Sequence, residues 1–161
     1  MDYLKHVSGK LGLEEDPELG LPIHVKTTLP VTLWYNHEED KLILLDQNRL
    51  PFEVKSKRIS DWKEGVEAIK SMVVRGSQAI GVAGAYTLLV GALQAKHGPD
   101  PLKQLSQMAQ EIAYARPTAA PLAWATLLAY NYCKKTYDET KSLEKTIDAL
   151  RKISDFILAQ D

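Results

Sequence analysis

The stretch Ala79-Ile80-Gly81-Val82-Ala83-Gly84-Ala85-Tyr86-Thr87-Leu88-Leu89-Val90-Gly91-Ala92 holds seven glycine or alanine residues in fourteen and no charged side chain. A helix with so little side-chain volume lets neighbouring elements approach its backbone from several sides. The segment from Ser77 to about Ala95 is therefore expected to be the central helix of a helical domain. The greasy part, 79–92, is too short to cross a bilayer and includes Tyr86 and Thr87, so it reads as buried rather than membrane-spanning. Upstream, Trp62, Val66, Ile69 and Val73 recur on one helical face, with Ser60 placed as an N-cap and Gly76 placed to end the helix. Downstream, His97-Gly98-Pro99-Asp100-Pro101 reads as a turn. Leu102, Leu105, Met108 and Ile112 then mark an amphipathic helix that ends near Arg116-Pro117. Pro121 opens another helix at its first turn, apolar on most faces from Leu122 to Tyr132. Leu143, Ile147, Leu150, Ile153 and Ile157 form a single stripe on the last helix.

Ahead of the helices the period changes. Val31 to Tyr35 and Leu42 to Leu45 are short apolar runs around a polar turn, as in a β-hairpin. Phe52 to Arg58 alternates like a half-buried edge strand. The expected fold class is α+β, a short three-stranded antiparallel sheet followed by a predominantly helical bundle of about five helices, with Trp34, Trp62 and Trp124 contributing to the core. Residues 1–30 carry scattered glycine and proline and read as an irregular amino-terminal arm, leaving 31–161 as the folded domain.

Composition narrows the function classes. The chain has 161 residues, 45% hydrophobic and 25% charged, with a net charge of -1. That is enough for one domain with a core, and it offers no electrostatic footprint for nucleic acid or an anionic membrane. Cys133 is the single cysteine and the four histidines are scattered, so neither a disulfide nor a zinc site is expected, and no metal ligand set is assigned. Nothing at the start reads as a signal peptide, and a reducing cytoplasm is the expected compartment.

The densest chemical signal is Val73-Val74-Arg75-Gly76-Ser77-Gln78-Ala79-Ile80-Gly81, an arginine at a corner between helices. Glycine lets the backbone turn sharply there, the first amides of the next helix favour an anion such as phosphate, and Arg75 can add a bidentate contact. Val82 and Ala83 stand where a Walker loop would need lysine and a hydroxyl, and no G-x-G-x-x-G occurs. On local pattern alone the corner also reads as a glycine cap beside a surface arginine. Arg116-Pro117-Thr118-Ala119-Ala120-Pro121 is a second such corner, with Thr118 as a candidate cap. Its plain reading is an arginine complementing a helix dipole. Cys133, inside a helical stretch, reads as structural. Asp46 reads as a turn cap and His37 as a loop residue.

Three blocks in order, Leu44-Leu45-Asp46-Gln47-Asn48-Arg49-Leu50-Pro51-Phe52, Met72 to Ala83, and Arg116-Pro117-Thr118-Ala119, resemble the amino-terminal half of the methylthioribose-1-phosphate isomerase family. That superfamily also holds ribose-1,5-bisphosphate isomerases and the alpha, beta and delta subunits of translation initiation factor 2B. The resemblance runs from about Thr32 to the end. It implies an aldose–ketose isomerisation, methylthioribose 1-phosphate to methylthioribulose 1-phosphate in methionine salvage, with no cofactor. It further implies Arg75, Gly76, Ser77 and Arg116 as substrate-binding residues. Ser77 stands where the family has alanine, Gln78 where it has proline, and Pro121 where it has asparagine. The family's catalytic cysteine and aspartate lie in a Rossmann-like carboxyl-terminal domain that this sequence does not reach, so no catalytic residue is assigned within it. The implied partners are a sugar phosphate, a carboxyl-terminal half or partner chain, and a second copy in a homo-oligomer. The alternative from another class is a non-catalytic regulatory or interaction module of the initiation-factor type. An apolar docking face is expected in either case.

Overall fold

The computed structural model describes residues 13–16, 18–24 and 31–160. A first hairpin pairs β1 (Leu13–Asp16) with β2 (Leu21–His24). A second sheet orders β3 (Leu33–Asn36), β4 (Lys41–Leu45) and β5 (Ser56–Ile59) antiparallel, with β4 in the middle. Five helices follow: α1 (Trp62–Lys70), α2 (Ser77–Ala95), α3 (Pro101–Ala113), α4 (Ala120–Thr140) and α5 (Leu143–Gln160). The α+β architecture expected from the sequence is the one observed.

Strand alternation divides the second sheet between two cores. Leu33, Tyr35, Leu42, Leu44 and Ile59 join the main helical core. On the opposite face Trp34, Ile43 and Leu45 pack with Leu21, and Leu19 and Val31 lie against them. That second face explains why β4 is apolar almost throughout instead of alternating. It also corrects the reading of residues 1–30 as an irregular arm. Within that stretch the described residues form the β1–β2 hairpin, and Leu21 is fully buried against the sheet. The remainder of the arm lies outside the described residues.

β5 is shorter than the expected Phe52–Arg58. The chain from Asp46 first folds into a tight turn: Asp46 Oδ1 accepts from the Asn48 amide, and the amides of Phe52 and Glu53 both donate to the Arg49 carbonyl. Phe52 is 93% exposed as a result. The N-cap of α1 is Asp61, not Ser60, because a capping box forms there: Asp61 accepts from the Lys63 amide, and Glu64 accepts from the Asp61 amide.

α1 stops well before Gly76. Met72 takes a left-handed φ of 65°, while its amide donates to the Ile69 carbonyl and the Val73 amide to the Ala68 carbonyl. Those two bonds are a Schellman termination with methionine where glycine is usual. Gly76 instead begins the next helix.

α2 is the central element: it contacts α1, α3, α4 and α5 as well as β3 and β4. Its 19 residues are long and apolar enough, by length and composition, to cross a membrane, a longer span than the sequence reading allowed. Most of it is enclosed by the fold, with 78% of that window buried, as befits a core helix. The small residues serve close packing. A Cβ on Gly81 would lie 2.9 Å from the Pro121 carbonyl oxygen, and one on Gly84 would lie 2.5 Å from Thr126 Oγ1. These contacts advance together along both helices, so α2 and α4 run parallel with the start of α4 beside the second turn of α2, and α3 is the return between them.

On α4, Leu122, Ala125, Ala129 and Cys133 form the buried face. Trp124 lies off it and is 63% exposed, so it does not join the core with Trp34. Trp62 is half-buried against the main core. α5 meets the β3–β4 turn and α2 through polar contacts. Asp155 accepts from the Tyr86 hydroxyl at 2.6 Å and pairs with His37 Nε2 at 3.0 Å, while Arg151 bonds to Asp40 in the β3–β4 turn.

Candidate functional site

Gly76 has φ 91° and ψ 131°, a backbone state that an L side chain rarely adopts, and nothing lies within 4 Å of a Cβ placed there. It is the N-cap of α2 and offers no side-chain oxygen to the helix. The amides of Ser77, Gln78 and Ala79 are the helix's first donors, and the first return bond, Ile80 to the Gly76 carbonyl, comes after them. α4 also begins without a side-chain cap, at Ala119, though Pro121 brings no N–H and the Leu122 amide donates to the Ala119 carbonyl. Thr118 is therefore not the cap expected from the sequence. The other helices differ: α1 is capped by Asp61, α3 by Asp100, and Ser142 Oγ accepts from the Lys145 amide at the start of α5. Through the Gly81–Pro121 approach the two starts without a side-chain cap are neighbours, so two positive dipole ends share one end of the molecule.

Each of these starts is preceded by a sequence-nominated arginine. Arg75 is exposed; its Nε donates to the Met72 carbonyl at 3.1 Å and its Nη2 to Asn48 Oδ1 at 2.6 Å. Arg116 is half-buried at the corner between α3 and α4, where its carbonyl accepts from the Ala119 amide. Among the described residues no carboxylate lies within ion-pairing distance of either arginine. Arg75, Gly76 and Ser77 thus form one corner, Arg116 forms the other, and helix packing sets the corners side by side. The arrangement suits a small dianion held by amides and guanidinium groups.

Beside the helix starts lies a groove of about 500 Å³, lined among others by Gln78, Gly81, Pro121, Trp124 and Phe156. Its rim holds exposed aromatic surface from α4 and α5.

Cys133 is fully buried, its thiol donating to the Tyr130 carbonyl, and burial pushes its pKa up to about 12. A neutral, enclosed thiol is a poor nucleophile, in line with the structural role expected for it. Asp46 caps its turn and His37 sits in the hairpin loop, as expected. No group of three His, Cys, Asp or Glu side chains suited to a metal ion occurs among the described residues. Sequence reasoning quoted Asn48 within a block but gave it no role. The only signal for it is three-dimensional: the Gln47 amide donates to the Val73 carbonyl, which seats the 46–49 turn on the Arg75 corner.

No family model matches the chain. It is 46% identical over 89 residues to the methylthioribose-1-phosphate isomerase of Synechocystis sp., covering 54% of this chain and 25% of that protein. The crystal structure of 5-methylthioribose 1-phosphate isomerase from Pyrococcus horikoshii OT3 superposes with a TM-score of 0.72 at 30% identity, over 84% of this chain and 37% of that one. The delta subunit of translation initiation factor eIF-2B from A. fulgidus also gives 0.72, at 25% identity, over 81% and 37%. The chain spans a quarter to about a third of the length of the curated relatives it matches. It belongs to the methylthioribose-1-phosphate isomerase family, as the counterpart of that family's amino-terminal part.

Proposed function

We propose that this chain supplies the phosphate-holding portion of an aldose–ketose sugar-phosphate isomerase, acting on methylthioribose 1-phosphate in methionine salvage. The observation that carries the reading is the pair of adjoining helix starts, each without a side-chain cap and each led by an arginine that, among the described residues, has no carboxylate beside it. Backbone amides at 77–79 and the Arg75 guanidinium would bind the phosphate, and Arg116 would add charge from the second corner. In this reading the proton-transfer chemistry belongs to residues outside these 161, and turnover requires the remainder of the enzyme.

The test is thermal unfolding of the chain with methylthioribose 1-phosphate and with ribose 1,5-bisphosphate, alongside an Arg75→Ala, Arg116→Ala double variant. A ligand at a hundred times its Kd should raise the parent Tm by about 5–10 °C, and the double variant should not respond. An unresponsive parent chain refutes the reading. A second reading, a non-catalytic module of the initiation-factor type, draws on the equal TM-score to the eIF-2B delta subunit and on Ser77, Gln78 and Pro121. It expects a stable protein partner and no sugar-phosphate response.

A further inference from the structure

We infer that Asn48 is a positioning residue for Arg75, and that the 46–49 turn leaves the charge of this guanidinium without a carboxylate partner and its Nη1 side open to an anion. The inference rests on the anion-holding reading of the Arg75 corner and adds what aims the arginine.

A guanidinium has five N–H donors in a rigid fork. Both bonds that Arg75 makes, Nε to the Met72 carbonyl and Nη2 to Asn48 Oδ1, lie on its Nε/Nη2 edge. Nη1 bonds to no described residue, so both its N–H groups and the second N–H of Nη2 remain for the oxygens of an anion. Both acceptors are neutral, so the bonds orient the group without cancelling its charge.

Carboxylates are close in sequence to Asn48, and Arg49 engages them. Its Nε lies 3.3 Å from Asp46 Oδ2 and its Nη1 lies 3.5 Å from Glu53 Oε2. The other Asp46 oxygen accepts from the Asn48 amide. The turn therefore gathers its acids onto Arg49 and offers Arg75 an amide oxygen.

Asn48 is itself held. Its Nδ2 donates to the Ser71 carbonyl at 2.9 Å, which fixes which end of the amide faces Arg75. The Ser71 and Met72 carbonyls both belong to the Schellman termination of α1, so helix end, turn and arginine form one assembly. Nothing in the spacing of Asn48 and Arg75, 27 residues apart, announces this.

The experiment titrates the full chain with sulfate at constant ionic strength, for the parent, R75A, N48A and N48D. Thermal melts and the arginine Nε–H resonance of Arg75, assigned by its loss in R75A, are recorded for each. We expect R75A to abolish saturable binding and N48A to weaken it about tenfold. N48D should weaken it further, because a carboxylate there cancels the charge that the amide leaves intact. The Arg75 Nε–H signal should broaden in N48A, while the Tm of N48A stays within about 2 °C of the parent's, as for a surface substitution. Parent-like affinity in N48A and N48D together with weak binding in R75A would overturn the positioning role alone. Parent and R75A binding alike would overturn the anion site and this inference with it.

Discussion

Gly76 separates two reasons for a glycine. Its φ of 91° demands one on backbone grounds, while the space around it would admit a methyl group. Gly76→Ala is therefore expected to cost about 1–3 kcal/mol through backbone strain, with no repacking of the core. Urea unfolding measures the loss, and near-ultraviolet circular dichroism should be unchanged in native conditions. Cys133 gives a second residue-scale test. With its thiol buried and its pKa pushed up to about 12, a disulfide reagent at pH 8 should leave the native chain unmodified and label it only after denaturation. The sign of the pH effect follows. The folded state holds this proton above the ordinary value of 9.0, so the contribution is intact below that value and is lost as pH rises toward 12. At this scale the sequence nominated Arg75 and Gly76 but read the glycine as an ending. Local pattern could not show that Met72 would take the left-handed position, since methionine is an unusual choice there. Asn48 was hidden for a different cause, because its partner is brought to it by tertiary packing.

Elements were legible where one face is apolar and ambiguous where both faces or neither is. α5 shows the first case: its stripe from Leu143 to Ile157 is the face that packs inward. α4 shows the ambiguous case, since its apolar residues surround the axis and only the fold reveals that Trp124 points away from the core. The Phe52–Arg58 stretch alternates as a strand does, yet a local turn with side-chain bonds claims its first half, a competition that residue alternation cannot register. The junction between α5 and the β3–β4 hairpin is polar and was not foreseen. Asp155 accepts from Tyr86 and pairs with His37, so Asp155→Ala should lower stability by about 2–3 kcal/mol, whereas Asp155→Asn, which keeps an acceptor, should lose less. Chemical denaturation of the two variants decides it. Equal losses would show that an amide oxygen cannot stand in for the carboxylate, so that its charge holds the junction.

For the whole molecule, a single helix touching all the others sets the pattern of stability. Backbone amides of residues 82–92 in α2 should exchange with solvent only through global unfolding, and those in the first turn of α4 through smaller openings. Native-state hydrogen exchange followed residue by residue would show it, and fast exchange at Leu88 or Leu89 would contradict the central role assigned to α2. That role was readable from the glycine and alanine content of 79–92, since low side-chain volume is a property of the sequence itself. The two-sided sheet was not, because the hairpin that covers its second face comes from a stretch whose punctuation resembles that of a loop.

The contacts between the β3–β4 hairpin and α5 join residues 118 and 111 positions apart, His37 to Asp155 and Asp40 to Arg151. Strand pairing within the sheet, by contrast, is between neighbours in the chain. As the polypeptide leaves the ribosome, the hairpin can form early, but its polar turn lacks these contacts until α5 has been made. A chain that stops short of Arg151 lacks both contacts and leaves the seam between sheet and bundle open to proteases. The same ionic clasp thus distinguishes a nascent chain that has reached Arg151 and Asp155 from one interrupted before them.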